Sequence, residues 1–238
     1  MLAMDQLLNQ APRLRFCTGG QVGLPIVYKM SYGSASGWSV HHSNCWHNMF
    51  MNAQGSKLVM PSMPYDAKGL IKTSLRESDP VFFLTCANIT TFKGQVPKEE
   101  YTIPFGIADI KRSGKDVTIV AVGWMVHLCL TAAEELSRQG VDVEVIDPRT
   151  LVPLDKKTIL DSVEKTSHLV IVDQAPKTGS VSGEIAAIVA DEGFDDLKAP
   201  IKRVCGLDTS IGYSRPIEEF PIPRESDIVK AVMSIAEK

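Results

Sequence analysis

The sequence predicts an α/β protein with two three-layer domains whose sheets are mainly parallel. The clearest evidence is a β-branched apolar run at 117–122, apolar residues at helical spacing after it, and a second β-branched run at 141–146. Gly140 stands where the C-cap of the intervening helix would fall. This order is typical of parallel strands that are joined by a right-handed crossover and buried on both faces.

The first half of the chain alternates in the same way. After an apolar helix at 1–11, the expected elements are strands at 13–17 and 22–30, a small-residue loop at 31–39, a helix from Ser43 to about Asn52, a strand at 57–60, a helix from Pro64 to Leu75 and a strand at 81–86. Their order indicates a second α/β unit, in which no strand precedes the first helix.

The periodicity breaks from Lys93 to Gly106, a polar stretch with two prolines. We therefore expect a linker at 93–108 between a first domain at 1–92 and a second at 109–238. Beyond the crossover, the remaining elements expected are strands at 168–173 and 201–205 and helices at 183–191 and 227–236.

Composition excludes several functions. The chain has 238 residues, 44% of them hydrophobic, and a formal net charge of −3, so it offers no basic field for nucleic acid. Its apolar runs fall short of the roughly 18 residues that a membrane span needs, and its first residues lack the order of a secretory signal. We expect a soluble, cytoplasmic protein.

The cysteines indicate a reducing compartment. They are odd in number and have no C-x-x-C spacing; they are Cys17, Cys45, Cys86, Cys129 and Cys205. We expect reduced, mostly buried thiols. The alternatives are a catalytic Cys45 or a metal site at Cys45 with the neighbouring histidines. No clear general base with an orienting partner stands near Cys45, and no second cluster of ligands completes a metal site. We therefore expect no metal ligands.

Five separated strings carry a resemblance to a known family. They are AMDQLLNQAPRLRFCTGGQ (3–21), HHSNCW (41–46), MPSMPYDAKGLIKTSLRESDPVFFL (60–84), GQVPKEEYTIPFGIADIKRSGKDVTIVAVGWMVHLCLTAAEEL (94–136) and VEVIDPRTLVPLD (143–155). In order and spacing they resemble the beta subunit of the thiamine-diphosphate-dependent 2-oxo acid dehydrogenases, the group that contains pyruvate, branched-chain and acetoin dehydrogenases. The resemblance implies a partial transketolase pyrimidine-binding domain at 1–92 and a transketolase C-terminal domain at 109–238.

The resemblance also implies a function. Such subunits oxidatively decarboxylate a small, pyruvate-like 2-oxo acid or cleave acetoin, and pass the acyl group to a lipoyl carrier. Thiamine diphosphate and Mg²⁺ are shared with or held by an alpha subunit, and a structural K⁺ is a further expectation. The implied partners are an alpha subunit, a second beta subunit and the lipoyl acyltransferase.

Part of the family pattern has no counterpart in this sequence. Family members carry, ahead of the segment where this sequence begins, a glutamate that protonates the aminopyrimidine ring of thiamine, so we expect this chain to be inactive alone. The alternatives are a non-catalytic docking subunit and a split transketolase-like enzyme.

His42 and Ser43 are the catalytic residues that the resemblance implies. They align with the His-Ser pair of the family's active-site loop, where an imidazole stabilises or protonates the developing oxyanion and enamine. The alternative is a loop histidine that caps the next helix. The sequence continues with Asn44 and Cys45 where the family usually has Gln-Ser, and no residue is assigned to cofactor binding.

Four further residues are weighed as site candidates. His41 and His47 could line the same pocket, but solvent or packing is favoured for His47. Asp66 suits the first turn of a helix that Pro64 begins, so a structural role is favoured over a catalytic one. His127 could face a subunit interface or lie in the first turn of its helix.

Overall fold

The structure is a computed structural model that describes residues 2–34 and 37–236. Its strands are β1 (Val27–Tyr32), β2 (Lys57–Val59), β3 (Val81–Cys86), β4 (Asp109–Arg112), β5 (Val117–Ala121), β6 (Val143–Asp147), β7 (Thr150–Val152), β8 (Leu169–Pro176) and β9 (Lys202–Gly206). Part of the expected loop at 31–39, namely 35–36, lies outside the described residues, as does the first residue of the expected N-terminal helix.

The helices cover both sheets. They are α1 (Ala11–Cys17), α2 (Ser39–His42), α3 (His47–Met51), α4 (Pro64–Ser74), α5 (Met125–Arg138), α6 (Lys156–Thr166), α7 (Val181–Glu192), α8 (Arg215–Glu219) and α9 (Glu225–Ala236). A π-helical turn, Gln6–Gln10, leads into α1, and two short 3₁₀ turns follow β3 and α7. None of the helices in the described part of the chain is long and apolar enough to cross a membrane.

Two sheets confirm the predicted fold class. The first has the order β1-β3-β2-β7, in which β1 and β2 pair with β3 in parallel. The second has the order β4-β6-β5-β8-β9 and is parallel except at β4. The predicted crossover is β5-α5-β6, and Gly140 adopts φ +86° directly after its helix.

The two sheets are not independent. Strand β7, from the second half of the chain, pairs antiparallel with β2 of the first sheet. One hydrophobic core also contains Phe82 and Leu58 from the first sheet together with Ile146 and Ile171 from the second. Each fully buried side chain of this size contributes about 1.5–3 kcal/mol, so the shared core holds the halves together.

The structure corrects the N-terminal prediction. Residues 13–17 form helix α1 instead of a strand, and the following strand begins only at Val27. The alternation of apolar and charged residues was misleading, because Phe16 is exposed and only Ala11 and Pro12 of this helix are buried. Side-chain bonds four residues apart, from Asn9 to Asp5 and from Arg13 to Asn9, accompany the helical turns.

Other boundaries differ as well. The helix expected from Ser43 to Asn52 is shorter and begins only at His47, as α3. A separate short helix, α2, precedes it, and Ser43 is the C-cap of α2 instead of the N-cap of a longer helix. Four elements of the second half were missed: the edge strands β4 and β7 and the helices α6 and α8. The two strands have only three or four residues each, too few for a clear period of two.

Candidate active site

A cavity of about 700 Å³ opens at the carboxyl end of β1. Ligands of parallel α/β folds bind at this end of the strands. Most of its wall is apolar; the apolar lining includes Met4, Leu7, Met30, Trp46, Met49, Phe50 and Leu84. Its polar wall includes Tyr32, His41, Asn44 and His47. The cavity is therefore an apolar chamber with a few polar groups on one side.

A buried histidine–aspartate pair stands in the wall of this cavity. His47, the first residue of α3, is fully buried, and its Nε2 lies 3.0 Å from Oδ2 of Asp173 in β8. The other carboxylate oxygen of Asp173 accepts the backbone N–H of Ala175 at 3.1 Å. Nδ1 of His47 is buried and has no hydrogen-bond partner among the described residues. The pair joins the two halves of the chain beside the cavity.

Tyr32 packs edge-on against His47, with their ring centres 5.9 Å apart. Its phenol is buried, which raises its pKa well above the ordinary value and keeps it protonated. A β-carbon added to Gly123 would lie 2.0 Å from the Tyr32 hydroxyl oxygen. The glycine before α5 therefore leaves the space that this hydroxyl occupies.

The two residues implied as catalytic differ in their surroundings. His42 ends α2 and is exposed, and it does not line the cavity, whereas its neighbour His41 does. Ser43 is buried beside Cys45 and Gln174 at a much smaller pocket, and its hydroxyl has no partner among the described residues. The imidazole can therefore meet a molecule that approaches from outside, while the serine cannot without local movement.

The thiols near the cavity are unsuited to nucleophilic attack. Cys45 and Cys86 lie 3.8 and 3.6 Å from the same amide oxygen of Gln174. Burial raises the pKa of Cys45 well above its ordinary value and that of Cys86 to about 12, so both are neutral thiols at pH 7. Fewer of the five cysteines are buried than expected, because Cys86 and Cys129 are buried, Cys45 and Cys205 are partly buried and Cys17 is exposed.

Asp66 belongs to a charged cluster away from the cavity. It is fully buried, bonds to Lys111 and lies 2.7 Å from Arg149. Asp109 bonds to the same lysine at 2.7 Å, and Asp147 accepts from a serine hydroxyl in the same region. These contacts tie α4 to the edge of the second sheet, which supports the structural interpretation of Asp66.

His127 also has a structural environment. It lies in the first turn of α5, and its Nε2 is 2.8 Å from the carbonyl oxygen of Ser62. The ring of Phe92 packs on it with a centroid separation of 4.4 Å. Burial lowers the pKa of His127, so the neutral form is favoured. Its contacts fix the first half of the chain against α5.

The sequence did not reveal the role of Asp173, and it favoured solvent exposure or simple packing as the environment of His47. A signal for Asp173 was present, because a carboxylate directly follows the apolar run 169–172 and so lies toward the carboxyl end of a buried strand. No local signal joined it to His47, which is 126 residues away.

The fold and the site define a transketolase-like class of protein. The family model described as "Transketolase, C-terminal domain" matches residues 106–228. A solved structure of a split gene transketolase, an inactive beta4 tetramer, superimposes with a TM-score of 0.75 at 18% identity, covering 97% of this chain and 73% of that one. This likeness concerns the fold.

Curated relatives define the family more narrowly. The chain is 43% identical to the acetoin:2,6-dichlorophenolindophenol oxidoreductase subunit beta of Bacillus subtilis, over 97% of this chain and 68% of that protein. It is 37% identical to the 2-oxoisovalerate dehydrogenase subunit beta of the same organism, over 100% and 73%. It is also 37% identical to that organism's pyruvate dehydrogenase E1 component subunit beta, over 98% and 72%. The chain belongs to the family of beta subunits of thiamine-diphosphate-dependent 2-oxo acid and acetoin dehydrogenases.

Proposed function

We propose that this chain is the beta-type component of a dehydrogenase that cleaves acetoin or oxidatively decarboxylates a small, pyruvate-like 2-oxo acid. The acyl group would pass to a lipoyl carrier. The observation that carries the proposal is the cavity at the strand ends beside the 41–46 loop, in a chain 43% identical to an acetoin oxidoreductase beta subunit. A mostly apolar wall with a few polar groups on one side is typical of a small-molecule or cofactor site.

The cavity is suited to the aminopyrimidine end of thiamine diphosphate. Met30, Met49 and Phe50 offer apolar contacts to a flat ring, while Asn44 offers a polar group at its edge. Thiamine would supply the carbanion that attacks the substrate carbonyl. No carboxylate is among the described residues that line the cavity, so the acid that this ring chemistry needs would come from elsewhere.

The diphosphate and Mg²⁺ would be held by an alpha subunit. Among residues 2–34 and 37–236, no group of three or more His, Cys, Asp or Glu side chains is arranged to hold a metal ion. A structural K⁺ would be held by backbone carbonyl oxygens, and we propose it by analogy with the family. A second beta subunit and a lipoyl acyltransferase complete the proposed assembly.

The two candidate catalytic residues have distinct proposed roles. His42, exposed beside a cavity residue, would hold or donate a proton to the oxygen of the reacting acyl group when the alpha subunit closes the site. Ser43, buried on the same loop, would orient it. His47, held by Asp173 at 3.0 Å, would position Tyr32 and the cavity wall.

Residues 1–92 would carry the pyrimidine site, and residues 109–238 would form the transketolase C-terminal domain.

The test is reconstitution with an alpha-type subunit, the glutamate-bearing N-terminal segment of a family beta subunit as a separate chain, thiamine diphosphate and Mg²⁺. Acetoin, pyruvate and 2-oxoisovalerate are supplied in turn, and reduction of 2,6-dichlorophenolindophenol is followed. We expect turnover of at least one substrate, and a loss of about 10²-fold in kcat for His42→Ala. Lys157→Ala, at an exposed site on α6, serves as the control.

Two results would count against the proposal. An assembled, cofactor-loaded complex that turns over none of the three substrates would remove the proposed reaction. Unchanged kcat in His42→Ala, with turnover intact, would remove only the role of His42. Circular dichroism of each variant separates a loss of chemistry from a loss of folding.

A further inference from the structure

A second depression lies between β9 and α9. Its volume is about 880 Å³, and it shares no lining residue with the cavity described above. One wall is β9 itself, from Lys202 to Gly206. The other is the first ten residues of α9 with the segment that precedes them. We call this depression the β9 groove.

The β9 groove is basic although the chain as a whole is acidic. Its cationic lining residues are Lys177, Lys202, Arg203, Arg224 and Lys230, and its carboxylates are Asp208 and Asp227. Within the described part of the chain, none of the five cations forms an ion pair. In a chain of net charge −3, such a group of unpaired cations marks a surface that favours an anionic partner.

The two carboxylates are already engaged. Asp208 accepts hydrogen bonds from the Thr178 hydroxyl at 2.8 Å and from its backbone N–H at 3.3 Å. Asp227 accepts the backbone N–H of Arg224 at 2.9 Å, at the start of α9. Neither carboxylate neutralises a lysine of the β9 groove, so the cations remain available.

The wall of the β9 groove that β9 forms is an open sheet edge. Strand β9 is the last strand of the second sheet and pairs with β8 on one side only, among the described strands. Directly after β9, the backbone N–H of Leu207 donates to the carbonyl oxygen of Pro221 at 3.0 Å, so the open edge ends at Gly206. An edge strand presents backbone N–H and C=O groups that can pair with another extended chain. The exposed side chains of Leu207 and Phe220 add apolar surface at one end.

The shape of the β9 groove favours an extended partner. Five residues of β9 span about 16 Å at the usual strand rise. Along α9, the lining residues from Arg224 to Ser234 extend over about 15 Å. A compact anion would contact one end of this array, whereas an extended segment would meet the whole of it.

We propose that the β9 groove binds an extended acidic segment of a partner protein, which adds a strand to the edge of β9. Backbone pairing with β9 supplies affinity, and acidic side chains on alternate positions meet Lys202 and Lys230. Apolar residues of the segment cover Leu207 and Phe220. The β9 groove is therefore a docking site separate from the cavity.

The test uses the intact chain and a fluorescein-labelled eight-residue peptide in which Glu and Val alternate. Fluorescence anisotropy measures binding at low salt, with the matched Lys-Val peptide as the control probe. We expect saturable binding of the acidic peptide, and a Kd at least about ten-fold weaker for Lys202→Glu combined with Lys230→Glu. The control variant is Lys157→Glu, on a helix outside the β9 groove.

Two further probes separate strand addition from simple charge attraction. Methylation of alternate backbone nitrogens of the acidic peptide keeps its charge but removes the donors needed for pairing, so we expect binding to be lost. Amide NMR shifts should concentrate at 202–206. Equal binding of the methylated peptide, or full competition by inorganic triphosphate at equal charge, would show an anion site only and overturn the proposal. Absence of saturable binding would overturn it as well.

Discussion

His47 and Asp173 form a buried contact between the two halves of the chain, with Nε2 3.0 Å from Oδ2. Their side chains are 0% and 1% exposed. The contact joins α3, which begins beside the cavity, to β8, an inner strand of the second sheet. Because an uncompensated polar group is costly in the interior, this pair constrains where the 41–47 segment lies.

Breaking this pair should destabilise the protein strongly. Asp173→Leu leaves His47 with no partner on either ring nitrogen among the described residues, and we expect a loss of about 3–5 kcal/mol in the free energy of unfolding. Asp173→Asn keeps a hydrogen-bonding group and should cost about 1–2 kcal/mol. Urea unfolding at pH 7 measures both. Glu192→Ala, which breaks an exposed ion pair with Lys156, should leave stability unchanged; equal effects of the three variants would contradict the prediction.

Stability should fall as the pH rises through the titration of Asp147. Burial raises the pKa of this carboxyl to about 6, although Lys111 and the Ser62 hydroxyl oppose the rise. In the unfolded chain its pKa is about 3.9, so the folded state binds the proton more tightly. The contribution is present below about pH 4 and is lost by about pH 6, amounting to about 2–3 kcal/mol.

Asp147→Asn tests this linkage. The side chain of the variant cannot ionise at position 147. Its free energy of unfolding should therefore fall less between pH 4 and pH 6 than that of the natural protein. Asp161→Asn, at an exposed position, should keep the slope of the natural protein. Parallel pH profiles for the natural chain and Asp147→Asn would mean that Asp147 ionises normally in the fold.

Cysteine labelling should distinguish the thiols by burial. Cys17 is exposed, whereas Cys86 and Cys129 are buried and have raised pKa values. At pH 7, iodoacetamide should therefore modify Cys17 first, Cys205 slowly, and Cys45, Cys86 and Cys129 only after unfolding. Mass spectrometry of tryptic peptides gives the order. Rapid labelling of Cys45 in the folded protein would revive the interpretation of this residue as a nucleophile.

Gly123 and Gly140 offer a matched pair of substitutions. Both have positive φ, but a β-carbon at Gly140 meets nothing within 4 Å, whereas at Gly123 it meets the Tyr32 hydroxyl at 2.0 Å. Gly140→Ala should cost about 1–2 kcal/mol through backbone strain alone. Gly123→Ala should cost clearly more, because the phenol must move out of a packed core.

A double variant isolates the contact. Tyr32→Phe removes the hydroxyl, so the cost of Gly123→Ala in that background should fall toward that of Gly140→Ala. Thermal or urea unfolding of the four chains in the cycle measures the coupling. If Gly123→Ala lowers the free energy of unfolding equally in the Tyr32→Phe background, its effect comes from backbone strain and not from the contact with the hydroxyl.

The β5-α5-β6 crossover was predictable because its signals are local. Two runs of apolar β-branched residues flank a segment whose apolar residues have helical spacing. Gly140 provides the positive φ at which the helix ends. The same local rules failed at 13–17, where alternation suggested a strand in a segment that continues a helix from the preceding turn. An exposed helix with few buried residues has no strong period for a sequence pattern to reveal.

By itself, the sequence determined the α/β class, the buried strands of the second sheet, and the family to which the chain is similar, since these depend on local periodicity and on strings in order. Only the tertiary structure decided that His47 meets Asp173, that β7 completes the first sheet, and that His41 rather than His42 lines the cavity. These relationships depend on which distant surfaces pack together. That choice is made by burial and hydrogen bonding summed over the whole chain, and no short pattern encodes it.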